Sequence, residues 1–208
     1  MSALEALDAG RLRAALGDQR IGHALIVLEE TASTNDVVWQ MAAENDEGLA
    51  VFAERQTAGR GQYGRNWESA PRRGLWLSIL LRPQLEVCES GKLTDMLAGT
   101  VATTIKESTG LAVAVKPPND VYAGGRKIAG VLVDMRVEAE GRHAAIAGIG
   151  INVNHVLDDF PPTLRENAGS IAMATGAVLD REQLAIALLK NLDARYAAFG
   201  QALSPRRS

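Results

Sequence analysis

Residues 53–67 read AERQTAGRGQYGRNW, with Gly59, Gly61 and Gly64 set among Arg60 and Arg65. No helix or strand interior tolerates glycine at that density, so the stretch is expected to be a loop. The apolar runs on either side, 49–54 and 74–82, are expected to be the strands it joins, paired antiparallel. A connection of about twenty residues inside a compact domain points either to a functional lid or to a disordered segment. Glycine lets backbone come close to a ligand, and guanidinium forks suit carboxylates and phosphates, so an anion is the expected occupant. Taken alone, the same loop also fits a solvated surface segment or a non-specific contact to nucleic acid.

The remaining composition narrows the choice. At 208 residues, 47% hydrophobic and 23% charged, the chain suits one globular domain over 1–208, with a frayed tail at about 203–208. With only three each of Trp, Tyr and Phe, its core must be built from Ala, Val, Leu and Ile. A net charge of −3 gives no global attraction to nucleic acid or to an anionic membrane, so the arginines near residue 60 are a local feature and imply a small anionic ligand. The single cysteine, Cys88, excludes an intramolecular disulfide, fits a reducing compartment and reads as a structural or surface thiol. No apolar run approaches 18 residues and no signal-like start is present, so a cytoplasmic location is expected. His23, His143 and His155 lack metal-ligand spacing, so no protein-built metal site is expected.

Along the chain, helical spacing is expected over 3–16, 89–108, 170–175 and 180–199, with Gly17 and Gly110 as stops. Strands are expected over 24–29, 111–116 and 142–154, and a hairpin over 121–133 that turns at Gly124-Gly125. Ser33-Thr34-Asn35 stands before a helical run and reads first as an N-capping cluster, although three small polar side chains there also suit a polar ligand. Pro117-Pro118 ends the 111–116 strand and leaves Lys116 at its tip. Strand 142–154 is expected to pair through a turn at Glu140-Gly141; within it Gly148 and Gly150, two apart, leave one face bare for a ligand or another backbone. The expected fold is α+β: a mixed, largely antiparallel sheet with helices packed on one face and the site under the 56–73 loop.

Four segments, taken together, resemble the catalytic core of the biotin protein ligases, with lipoate ligases as more distant fold relatives. They are Ser33-Thr34-Asn35, the run from Gln56 to Trp67, Lys116-Pro-Pro-Asn-Asp120 with Arg126-Lys127-Ile-Ala-Gly-Val131, and Gly148-Ile-Gly-Ile-Asn-Val-Asn154. The resemblance implies a two-step reaction: biotin and Mg-ATP form biotinyl-5′-AMP and pyrophosphate, and a lysine of a biotin carboxyl carrier protein then takes the acyl group. ATP and Mg2+ are the implied co-substrates. Carried over by position, it implies biotin contacts from Ser33, Thr34, Asn35, Gln56, Arg60, Gly61, Gln62 and Lys116. Nucleotide contacts are implied from Gly59, Gly61, Arg65, Trp67, Asn119 and Asn152, with Arg60 and Lys116 as the catalytic cations. For Trp67 a plain loop anchor, and for Asn119 and Asp120 turn chemistry, explain the residues equally well.

The chain also departs from the family pattern. Gln62 stands where arginine is common, which implies weaker retention of the adenylate, and Pro117 stands where tryptophan is common. Many members continue into a small C-terminal domain, and repressor-type members carry an N-terminal DNA-binding domain; neither is expected here, nor is a role in transcription. Two alternatives stay open: a lipoyl or octanoyl transferase-like enzyme, or a shortened biotin-binding relative with weak or no ligase activity. An exposed sheet edge would permit a homodimer.

Overall fold

The computed structural model of the protein describes residues 5–138 and 141–203. Residues 204–208 of the expected frayed tail and the Glu140 half of the hairpin turn therefore lie outside the described residues, while Leu203 ends the last helix. In chain order the elements are α1 (Ala9–Leu16), β1 (Leu25–Leu28), α2 (Thr34–Met41), β2 (Ala50–Ala53), β3 (Gly74–Leu81), α3 (Ser90–Thr109), β4 (Val113–Lys116), β5 (Asp120–Ala123), β6 (Arg126–Val137), β7 (His143–Asn152), α4 (Ile171–Thr175) and α5 (Arg181–Leu203).

Seven strands form one sheet in the order β1-β2-β3-β7-β6-β5-β4, and β1 with β2 is the parallel pair. The α+β class and the largely antiparallel sheet are as expected. After β3, helix α3 carries the chain to the far edge, and β4 to β7 return as a meander that brings β7 beside β3. α3 stops where the sequence says it should, at Gly110 in the left-handed conformation (φ 73°).

Helices α1, α3 and α5 pack on one face through Leu12, Leu16, Leu93, Leu97, Val101, Leu188 and Leu192. The short α2 lies on the other, where Val38 and Ala42 meet Val51, Leu80 and Ile146. This second layer explains why all eight residues of β3 are buried, rather than alternating as a one-sided strand would. α2 covers only part of its face, and the glycine-bearing stretch of β6 and β7 beside it is left for the lid.

α1 is shorter than expected. The Asp8 carboxylate accepts from the Arg11 N–H at 2.7 Å and starts the helix at Ala9, while the residues before it are drawn elsewhere. The Leu7 N–H donates to Glu54 Oε1 at 2.6 Å, and Arg181 Nη2 donates to the Glu5 carbonyl at 2.6 Å. Arg181 Nη1 also pairs with Glu54 Oε2 at 2.8 Å, both side chains being almost fully buried, and donates to the Gly74 carbonyl at 3.0 Å. Glu54 and Gly74 are the two feet of the 54–73 connection, so one buried ion pair fixes where the lid begins and ends. No helix among the described residues is long and apolar enough to cross a membrane.

Candidate functional site

The site begins with missing side chains. In the β6–β7 register Gly130 lies opposite Gly150, and Leu132 opposite Gly148. A Cβ on Gly148 would come within 2.5 Å of Asn35 Oδ1, one on Gly150 within 2.5 Å of the Trp67 ring, and one on Gly130 within 2.9 Å of the same ring. The bare face expected from the Gly148/Gly150 spacing is therefore the floor of a cavity, against which Asn35 and Trp67 lie in direct contact.

One end of that cavity is polar. Ser33 occupies the N-cap position of α2, but its side chain makes no capping bond. The capping reading of the triplet is thus corrected: the side chains of Thr34 and Asn35 turn instead to Gln56 and to Ser78 on β3. The Thr34 N–H donates to Gln56 Oε1 at 2.9 Å, which fixes that amide's orientation. Ser78 Oγ donates to Asn35 Oδ1 at 2.5 Å, and Thr34 Oγ1 lies 2.6 Å from Ser78 Oγ. Asn35 Oδ1 can only accept, so the one hydroxyl hydrogen of Ser78 is committed to it and Ser78 Oγ is left to accept from the Thr34 hydroxyl, which also lies 3.1 Å from Gln56 Oε1. Asn35 Nδ2 is consequently aimed away from the strand, buried and without a partner, as a donor awaiting an acceptor. Ser78 was not foreseen; its signal in the sequence is a lone hydroxyl in the apolar run of β3.

The lid is ordered as a small hairpin. Arg60 bridges Asn66, the Gly61 N–H donates to the Arg65 carbonyl at 2.7 Å, and the Trp67 N–H donates to the Gly59 carbonyl at 2.9 Å. Its tip is the exposed Tyr63, held at φ 58°. The Arg60 guanidinium grips both oxygens of Asp36 on α2, at 2.6 and 3.0 Å. Trp67 lies across the glycine floor, edge-on to Trp76 at 6.3 Å, and Trp76 in turn meets His155. His155 is stacked on Phe160, and burial pushes its pKa down to about 4.

Two cavities adjoin under and beside this lid. The smaller is lined by Ser33, Thr34, Asn35, Gln56 and Arg60, with Leu77, Val131 and Ile149 supplying apolar wall. The wider includes Arg65, Lys116, Asn152 and Leu164. Gly61, Gln62, Trp67, Asn119 and Lys127 line both.

The predicted residues thus divide. Ser33, Thr34, Asn35, Gln56 and Arg60 gather at the small cavity, Gly61 and Gln62 at the junction, and Arg65 and Lys116 in the wide cavity only. Arg60 and Lys116 do not line a common cavity. Lys116 is exposed on edge strand β4, its Nζ 5.5 Å from the Tyr122 ring centroid. The lysine at the junction is Lys127, whose Nζ pairs with Asp120 at 2.5 Å and sits 5.1 Å from the centroid of Trp67. Lys127 is part of a segment that carried the resemblance, but it was given no role. Two further residues turn out to be tied to backbone: Asn119 Nδ2 donates to the Val131 carbonyl at 2.8 Å, and Asn152 Nδ2 to the Gly169 carbonyl at 2.9 Å. Gly59 packs under Trp67, where a Cβ would come within 2.6 Å of the Trp67 carbonyl oxygen.

A sheet backed by three helices thus carries, on its other face, a glycine floor with an arginine-bearing loop and two adjoining cavities in front of it. The family model described as the biotin/lipoate A/B protein ligase family matches residues 27–154, and the chain belongs to that family. It is 35% identical over 191 residues to the bifunctional ligase/repressor BirA of Bacillus spizizenii, covering 91% of this chain and 59% of that protein's length. It is 32% identical to the biotin--[acetyl-CoA-carboxylase] ligase of Mycobacterium tuberculosis, covering 86% of this chain and 68% of that one. Among solved structures, the biotin protein ligase from Aquifex aeolicus in complex with biotin and ATP superimposes with a TM-score of 0.75 at 32% identity, covering 86% of this chain and 72% of that one.

Proposed function

We propose that the protein is the catalytic unit, folded as a single domain, of an ATP-dependent biotin protein ligase. It forms biotinyl-5′-AMP and passes biotin to a lysine of a biotin carboxyl carrier protein. The observation that carries this reading is the pair of adjoining cavities with a cation on the wall of each: Arg60 on that of the smaller and Lys127 on the wall common to both. The family membership and the relatives' biotin-ligase names support it.

The ring system of the acid fits the small cavity, where the free Asn35 amide N–H meets a carbonyl oxygen and Leu77, Val131 and Ile149 cover the apolar part. The acid's carboxylate then points to the junction, and the nucleotide occupies the wide cavity. A carboxylate and a triphosphate repel each other, so fixed cations must offset that repulsion and stabilise the charge that builds at phosphorus. A carboxylate oxygen attacks the α-phosphorus, the bond from phosphorus to the β-bridging oxygen breaks, and pyrophosphate leaves. Lys127 is assigned to the reacting oxygens, with Lys116 at the rim toward the outer phosphates. Mg2+ arrives on the nucleotide as part of that substrate, and Glu68 and Asp120 are the carboxylates on the wide cavity's wall. In the second step the carrier lysine's amine attacks the acyl carbon and AMP departs. We place the reaction in the cytoplasm, with the carrier protein as the macromolecular partner.

The test is to incubate the protein with ATP, Mg2+ and labelled biotin or lipoate, with and without a carrier domain, following pyrophosphate release and label transfer. Biotin-dependent release followed by transfer is expected. Preference for lipoate, or binding of biotin with no release, would overturn the reading. Ser78→Ala should weaken biotin binding about tenfold in a calorimetric titration, because Asn35 loses the bond that orients its amide and a buried acceptor is left unmet. Unchanged affinity would remove Ser78 from the site.

A further inference from the structure

Beyond Trp67 at its foot, the lid hairpin is tied by hydrogen bonds to the rest of the molecule at one side chain, Arg60, among the described residues. Up to Ala58 the incoming strand is zipped to its neighbour: the Thr31 N–H donates to the Arg55 carbonyl, the Thr57 N–H to the Thr31 carbonyl and the Ala58 N–H to the Ala32 carbonyl. From Gly59 to Asn66 the hydrogen bonds of the hairpin are internal, apart from the one to Trp67 and the grip of Arg60 on Asp36. Among the described residues, that two-toothed contact is the one hydrogen-bonded link between the hairpin and α2. It ties Arg60, on the wall of the small cavity, to the residue that follows directly on Ser33-Thr34-Asn35.

We propose that Asp36 is a positioning residue, the latch on which the lid closes, and that it sets how long the acyl-adenylate is retained before the carrier arrives. This rests on the ligase reading. Asp36 lines neither cavity and acts through Arg60, which still has three N–H groups to offer an anion while two are held by the carboxylate. Each time the latch opens, water can attack the acyl carbon of the mixed anhydride; the bond to the phosphate oxygen breaks, biotin and AMP are released, and one ATP has been spent without transfer. Both partners are nearly half exposed, at 45% and 44%, so the latch is weak and sensitive to salt. A weak latch suits a lid that must reopen in every cycle.

The experiment has two arms, on the wild type, Asp36→Asn and Asp36→Glu. The first is amide hydrogen exchange of the ligand-free protein over residues 59–67. Asparagine should speed exchange of Gly61, Arg65 and Trp67 roughly threefold, and glutamate should restore most of the protection. The second is biotin-dependent AMP formation without carrier, measured across ionic strength. It should rise with salt in the wild type, and in Asp36→Asn start about threefold higher and stay flat. Wild-type exchange rates in Asp36→Asn, or a variant leak with undiminished salt dependence, would overturn the latch. Should the protein form no pyrophosphate at all, the ligase reading fails, while the exchange arm still decides whether Asp36 holds the lid.

Discussion

Lys127→Ala is expected to lower the rate of biotin-dependent pyrophosphate release by roughly 100- to 1000-fold, the usual cost of removing a fixed donor from the site of developing charge. The same variant should bind biotin with an affinity changed by no more than a few-fold, because Lys127 lies at the junction of the cavities, away from the polar end built by Asn35 and Gln56. Lys116→Ala is the comparison. That side chain is exposed in the wide cavity alone, so its loss should raise the KM for ATP and lower the rate far less. Pre-steady-state release of pyrophosphate at saturating ATP separates the two. If Lys116→Ala proved the more damaging under those conditions, the roles assigned here would have to be exchanged.

The second large effect concerns stability. Arg181→Leu is expected to cost about 3–5 kcal/mol, because it strands the buried Glu54 carboxylate without its partner. Arg181 also serves the carbonyls of Gly74 and Glu5, and Glu54 accepts from the Leu7 N–H. The double variant Glu54→Leu with Arg181→Leu should therefore recover only part of the loss: it removes the stranded charge but leaves those backbone groups unpaired. Urea denaturation of the single and double variants measures both quantities. Full recovery in the double variant would mean that the ion pair contributes nothing beyond its own neutralisation.

The lid, its flanking strands and the glycine floor were legible because each depends on local chemistry. A segment so rich in glycine cannot be a regular element, and two glycines two apart on a strand must share a face. The polar end was not legible in the same way. Whether Ser33-Thr34-Asn35 caps its helix or faces a pocket is decided by Ser78, which comes from a strand 43 residues beyond Asn35 in sequence. Lys127 was hidden by a change of parity. Ala129, Val131 and Met135 face the helical layer, and strict alternation would send Lys127 the same way. The register shift opposite Val121 and Tyr122 places both Ile128 and Ala129 in the core, and so returns Lys127 to the open face. One inserted residue thus puts Lys127, which alternation assigns to the interior, on the face that carries the cavities.

The edge-on meeting of Trp67 and Trp76 has a practical consequence. One indole, half-buried, belongs to the lid and the other is buried on β3, so a movement of Trp67 with the hairpin changes both the spacing of two emitters and the exposure of one. The third, Trp39, is on α2 with its Nε1–H bonded to Asp134 and gives a steady background. The protein thus carries a built-in optical gauge of its own gate, readable by intrinsic fluorescence without attaching a dye.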